Sequence, residues 1–168
     1  PGDETLLLLT IGCLRKPPVP SVDDLRRILF DCPDWERLAE EHRDWWRAFW
    51  ARSGMRLSHS GMDRLWHMGN YFLGANARPD SPTITLQGIW SDNGEAPWGN
   101  RLGWDLNVQA AYSPIYTGNH LDLGFSLYDW YRRYLPRMQD FAKAMFGSEA
   151  EGAYLQPGTD DLCQTWVN

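Results

Sequence analysis

The sequence predicts a mainly α-helical protein. Apolar residues recur every three or four positions along three long stretches, each opened by a residue suited to helix capping. A segment punctuated by Gly and Pro, 78–103, separates the second stretch from the third. Strand-like character is confined to one short apolar run near the start.

That run, ETLLLLTIG over 4–12, reads as a buried strand ending at Gly12. With no sheet to join here, it either pairs outside the chain or closes a preceding β domain. LRKPPVP over 14–20 reads as a stiff linker, because each Pro fixes φ and lacks a donor N–H. Ser21, with a carboxylate three residues on at Asp24, opens a short helix to about Phe30. Asp34 caps a longer one to about Arg52. Trp35, Leu38, His42, Trp45 and Phe49 form its stripe, widened by Ala39, Trp46 and Trp50. Arg37/Glu41, Glu40/Arg43 and Asp44/Arg47 supply modest pairs on the solvated face. Ser60 with Asp63 opens the next helix, which carries Met62, Leu65, Trp66, Gly69, Phe72, Leu73 and Asn76 to an end near Arg78-Pro79. Asn119 with Asp122 opens the last, to Phe146. Its stripe runs through Leu121, Phe125, Tyr128, Tyr131, Leu135, Met138, Phe141 and Met145. Pro136 should kink that helix and Gly147 stop it.

Composition excludes several classes. The 168 residues carry 16 Lys+Arg against 22 Asp+Glu, a net charge of -6, enough chain for one domain or a piece of a larger one. An acidic balance argues against nucleic-acid or anionic-membrane partners, which need clustered cations. The apolar runs fall far short of the roughly 20 residues of a membrane span. No leader pattern follows Pro1, which leaves open where the natural chain begins. Cys13, Cys32 and Cys163 form no zinc set with His42, His59, His67 and His120. HExxH, P-loop, dinucleotide and GxSxG patterns are missing, so no metal or cofactor is expected. Ten Trp, seven Tyr and six Phe serve either helix packing or, in part, flat platforms for an uncharged sugar ring.

The 26 residues from Arg78 to Gly103 are too many for an ordinary connection. Leu86, Ile89, Trp90, Trp98 and Leu102 call for burial and argue against disorder. An ordered, Trp-bearing loop that feeds Asp105-Leu106-Asn107 is therefore the candidate site.

Here a family pattern emerges. LQGIWSDNGEAPWGNRLGWDLNVQAAYSP (86–114) resembles the loop and following helix of glycoside hydrolase family 95, the inverting α-L-fucosidases and their relatives. HRDWWRAFWARSGMRL (42–57) and GTDDLCQTW (158–166) fit the same family more weakly. The resemblance implies a partial (α/α)6 barrel of the six-hairpin glycosidase type, preceded by a remnant β-strand and a helical linker. Residues 1–14 would then end a β-sandwich, 15–58 form the linker and 59–168 supply the first barrel helices. It also implies an oligosaccharide substrate, a general-acid Glu and a supporting Asp beyond residue 168, and a secreted or periplasmic setting. The rest of the barrel would be a required partner outside this chain.

The family's Asn-x-Asn, which orients the attacking water, falls on Asp105-Leu106-Asn107. Asn107 matches and Asp105 departs. Inverting glycosidases hold an acid and a base roughly 6.5–9.5 Å apart. Asp105 can be that base, can bind water beside Asn107, or can simply be the N-cap of a helix over 106–112. Trp90 and Trp98 either stack on sugar or staple the loop. Gln87 either bonds a sugar hydroxyl or braces the loop. Asp160 and Asp161 read as caps, Glu95 as a solvated charge, His59 as a loop residue and His67 as a helix-face residue. A catalytically silent carbohydrate-binding protein and a purely structural helical domain are the competing readings.

Overall fold

The computed structural model describes residues 7, 9–10, 19–79, 81–90 and 95–164. The strand expected over 4–12 and the linker over 14–20 fall largely outside these residues. The chain divides into two compact units, 1–47 and 48–168.

In the first unit, α1 (Val22–Phe30) starts at the expected capping box. The Ser21 hydroxyl accepts from the Asp24 N–H at 3.1 Å, and the Asp24 carboxylate accepts from the Ser21 N–H at 2.9 Å. These bonds to Ser21 hold the Asp24 carboxyl below its usual range. α2 (Trp35–Ala51) opens where Asp34 accepts the Arg37 N–H at 2.9 Å and runs on into the second unit. Arg37 meets Glu41 at 3.0 Å on its exposed face, as the i,i+4 spacing requires.

The second unit corrects three expectations of start or cap. α3 (Ser60–Asn76) is capped by His59, whose Nδ1 accepts from the Met62 N–H at 3.3 Å. Asp63 reaches past the cap to accept the Leu57 N–H at 2.8 Å, so Ser60 and Asp63 form no box. Asn119 does not start the last helix. It sits at φ 54, outside a 3₁₀ turn over Leu121–Gly124, and the α-helix begins only at Phe125. Asp122 is drawn instead into an ion pair with Arg52. The helix over 106–112 is shorter, Asn107–Tyr112 (α4), with Leu106 rather than Asp105 at the N-cap and no side chain capping it. A one-turn helix, α5 (Pro114–Thr117), follows. α6 (Phe125–Phe146) runs unbroken through Pro136 and ends at Gly147, φ 102, whose N–H bonds the Lys143 carbonyl at 2.9 Å.

The buried faces of α3 and α6 keep Leu73 and Met138 of the expected stripes but otherwise differ from them. Asn70, Leu73, Gly74 and Ala77 are buried, whereas Met62, Leu65 and Phe72 are exposed. On α6, Leu127, Trp130, Met138 and Ala142 are buried, while Phe125, Leu135 and Met145 are not. Both helices carry apolar residues on more than one face, and spacing alone does not say which face is covered.

At the core, α4 packs on β1 (Leu102–Gly103), which pairs antiparallel with β2 (Gly158–Thr159) in register Leu102↔Thr159. The Trp104 N–H extends that pair to the Pro157 carbonyl at 2.8 Å. Its indole N–H donates to Thr159 Oγ1 at 2.8 Å, and its ring packs 4.5 Å from Trp130. The Trp130 indole in turn donates to the Asp161 carbonyl at 2.9 Å. Tyr112, buried on α4, accepts the Ile84 N–H at 3.0 Å and shares a 2.7 Å bond with Ser126 Oγ on α6. This polar network ties the long loop to two helices. Burial pushes the Tyr112 phenol above its ordinary range.

Candidate functional site

The described parts of the long loop, 78–79, 81–90 and 95–103, are tied together by hydrogen bonds. The Leu86 N–H bonds the Arg101 carbonyl at 3.0 Å, so the chain entering the Gln87 turn lies beside Arg101. Gln87, Gly88 and Ile89 form this tight turn. Gly88 has φ 56, and a Cβ there would stand 2.3 Å from Asn76 Oδ1, so the position requires glycine both for conformation and for space. Asn76 and Asn100 bond the turn from two sides.

Gln87 and Trp90 come together on the wall of one cavity of about 340 Å³, between α3, the turn and the end of α4. That volume suits a small organic ligand. The walls are mainly apolar, with Phe72, Leu73, Ala110 and Ala111 among them. Trp90 packs against Phe72, ring centres 5.2 Å apart, and remains half exposed. Gln87 Oε1 is buried with no hydrogen-bond partner among the described residues.

Asp105, Asn107 and Trp98 do not line that cavity. Asp105 lies in the turn before α4, exposed, with no hydrogen bond or ion pair among the described residues. The turn needs nothing from its side chain, because Gln109 Nε2 donates to the Trp104 carbonyl at 2.8 Å and holds it closed. Asn107 is the first residue of α4 and is also exposed. A Cβ on Gly103 would meet Asn107 Oδ1 at 2.7 Å, so the Asn107 side chain lies against the bare α-carbon of Gly103. One turn along the same helix, Ala111 reaches the cavity wall.

Trp98 stands on a 3₁₀ turn (Pro97–Asn100) with φ 53 and is 73% exposed. Gly99 and Asn100 continue in the left-handed region at φ 66 and φ 50. A left-handed Trp costs roughly 1–2 kcal/mol, a strain that concentrates at sites of function. Glu95 is exposed on the same loop.

Asp160 caps a turn rather than a helix, accepting the Leu162 N–H at 3.0 Å and the Gln164 N–H at 2.7 Å. His67 lies on the α3 face as expected, its Nδ1 2.8 Å from the Asp63 carbonyl. Sequence reasoning passed over Asn100, Gly103 and His120. The Gly99-Asn100 pair is a turn signal that could have flagged the first. His120 is 1% exposed and stacks on Phe49 at 3.9 Å, with no hydrogen bond to Nδ1 among the described residues. Burial, aided by the nearby Arg52 charge, holds its imidazole below the usual value, against the opposing pull of Asp122. Among the described residues no His, Cys, Asp and Glu cluster could hold a metal ion, and no helix is long and apolar enough to cross a membrane.

Comparison with curated proteins finds no match. The model of the glycosyl hydrolase family 95 catalytic domain matches residues 36–166, a span from α2 through the loop, the Asp105–Asn107 turn and the β1–β2 pair. The chain belongs to glycosyl hydrolase family 95, through its catalytic domain.

Proposed function

We propose that this chain supplies the first helices of an (α/α)6 catalytic barrel in an inverting glycosidase acting on α-L-fucosides or stereochemically similar sugars. Asp105 and Asn107 prepare the attacking water. The Asp105 carboxylate accepts a proton from that water while the Asn107 amide orients it. The water oxygen bonds to the anomeric carbon on the face opposite the leaving group, the glycosidic C–O bond breaks, and the departing oxygen takes a proton from a general acid. That acid is a Glu supplied from outside residues 1–168. Gln87, Trp90 and Trp98 contact the sugar, and the setting is secreted or periplasmic.

The observation that carries this reading is the freedom of Asp105. It is exposed, two residues before Asn107, and relieved of capping duty, since Leu106 is the N-cap of α4. A carboxylate with no structural task next to a family water-binding position is available for chemistry.

Steady-state hydrolysis of 4-nitrophenyl α-L-fucoside by the protein expressed from its complete gene tests the assignment. Asp105→Ala and Asn107→Ala should each lower kcat by about 10²-fold or more with smaller changes in KM, because water activation belongs to the transition state. Near-normal turnover in both variants sinks the assignment. L-fucose binding without any turnover would favour a silent carbohydrate-binding protein instead.

A further inference from the structure

Asn107 is exposed at the first position of α4, and its carboxamide makes no hydrogen bond among the described residues. Its donor and acceptor are both unspent, and packing sets where they stand. The packing partner is Gly103. A Cβ at Gly103 would stand 2.7 Å from Asn107 Oδ1, 3.2 Å from Cγ and 3.3 Å from Cβ, so the whole Asn107 side chain lies over that bare α-carbon.

The backbone beneath is fixed. Gly103 is buried in β1 and pairs with Gly158, while its neighbours Leu102 and Trp104 are buried and Trp104 bonds both Pro157 and Thr159. Residues directly opposite in an antiparallel pair share a face. Gly158 is covered on that face by Arg101, whose Cζ would lie 3.1 Å from a Cβ there. Neither glycine has a positive φ, so the backbone conformation requires glycine at neither position. What each provides is room for the side chain above it.

We infer that Gly103 is a positioning residue, whose bare α-carbon seats the Asn107 carboxamide where it orients the attacking water. The inference rests on the reading of Asn107 as the water-orienting residue. Gly103 acts through Asn107.

Ordinary carbon–oxygen contact begins at roughly 3.3 Å, so the methyl of Gly103→Ala drives Asn107 Oδ1 off its seat by about 0.6 Å or more. The test measures kcat, KM and thermal midpoint on 4-nitrophenyl α-L-fucoside for the full-length protein. The variants are Gly103→Ala, Gly158→Ala, Asn107→Ala and Gly103→Ala/Asn107→Ala. Gly103→Ala should lower kcat about 10- to 100-fold with KM changed less than about threefold, since misplacement near 1 Å costs on that scale. Gly158→Ala adds the same methyl to the facing strand, against the flexible Arg101 chain, and should keep kcat within about threefold. The double variant should match Asn107→Ala in both kcat and midpoint, because removing the carboxamide removes the clash. If Gly103→Ala does not fold, the double variant carries the test, since it regains the fold only when the methyl strikes Asn107.

Normal kcat in Gly103→Ala beside a large loss in Asn107→Ala overturns the positioning role and leaves the site reading standing. So does an equal loss in Gly158→Ala, or a double variant slower or less stable than Asn107→Ala, because the methyl then disturbs the strand pair itself. Normal turnover in Asn107→Ala, or no hydrolysis by the unaltered protein, overturns the site reading and the inference together.

Discussion

Replacing Trp104 by Phe probes the joint that holds the Asp105–Asn107 turn. Trp104 is 6% exposed and Thr159, its hydrogen-bond partner, is fully buried. Two losses follow from Trp104→Phe. The smaller ring gives up roughly 40 Å² of buried apolar surface, about 1 kcal/mol. The Thr159 hydroxyl loses the indole donor and is left unpaired in the core, which costs about 1–3 kcal/mol. The sum, about 2–4 kcal/mol, is a large part of the stability of a domain this size. Urea unfolding followed by far-UV circular dichroism measures it. A second substitution separates the two contributions. Thr159→Val alone should also destabilise, because it orphans the indole N–H. In the Trp104→Phe background it should recover roughly 1–2 kcal/mol, since both polar partners are then gone. A loss under about 0.5 kcal/mol in Trp104→Phe would refute the reasoning. So would a double variant whose loss equals the sum of the two single losses.

Three further expectations follow from other parts of the fold. Trp98→Gly should leave the thermal midpoint nearly unchanged, because relief of about 1–2 kcal/mol of left-handed strain offsets the chain entropy of glycine, roughly 0.5–1 kcal/mol. The same variant should weaken L-fucose quenching of Trp fluorescence severalfold, and a sharp drop in midpoint with unaltered quenching would make Trp98 a structural staple. His120 is buried neutral with its imidazole held below the ordinary value near 6.5, so below that pH the unfolded chain takes up the proton more readily than the folded one. Stability should fall as pH drops from about 6.5 toward the lowered folded value, and His120→Gln should flatten that slope in unfolding experiments run across the range. Ser21→Ala should cost about 1 kcal/mol of α1 stability by removing the capping hydroxyl, seen as lost helical signal in peptides spanning α1.

What could be read from the sequence was local. The starts of α1 and α2 were legible because Ser21 and Asp34 bond N–H groups three residues away, within one helical turn. The cap of α3 was missed by one residue, since His59 is an uncommon capping side chain and the more usual Ser60 stands beside it. Asp105 resembled a cap for the same reason. The structure reassigns that start to Leu106, because Gln109 closes the turn from inside the helix. The loop over 78–103 stood out as the candidate site from its length and aromatics, and two of its residues, Gln87 and Trp90, line one cavity. The Asn76 and Asn100 bonds to the turn were not readable, because each joins residues 12 or 13 positions apart. The buried faces of α3 and α6 escaped because both helices offer more than one apolar face, and only tertiary contact chooses between them.

The partners in the Trp104–Thr159 bond stand 55 residues apart, with α4, α5 and α6 all lying between them. Closing so long a segment adds little to the equilibrium cost, since that cost grows only as the logarithm of length, but it slows the step that does it. At about 5–20 residues per second of translation, roughly 3–11 s pass between synthesis of the first partner and the second. Through that interval the Trp104 indole has no Thr159 to meet, and β1 has no second strand. The turn bearing Asp105 and Asn107 is consequently a late product of biosynthesis, fixed only after α6 has been made.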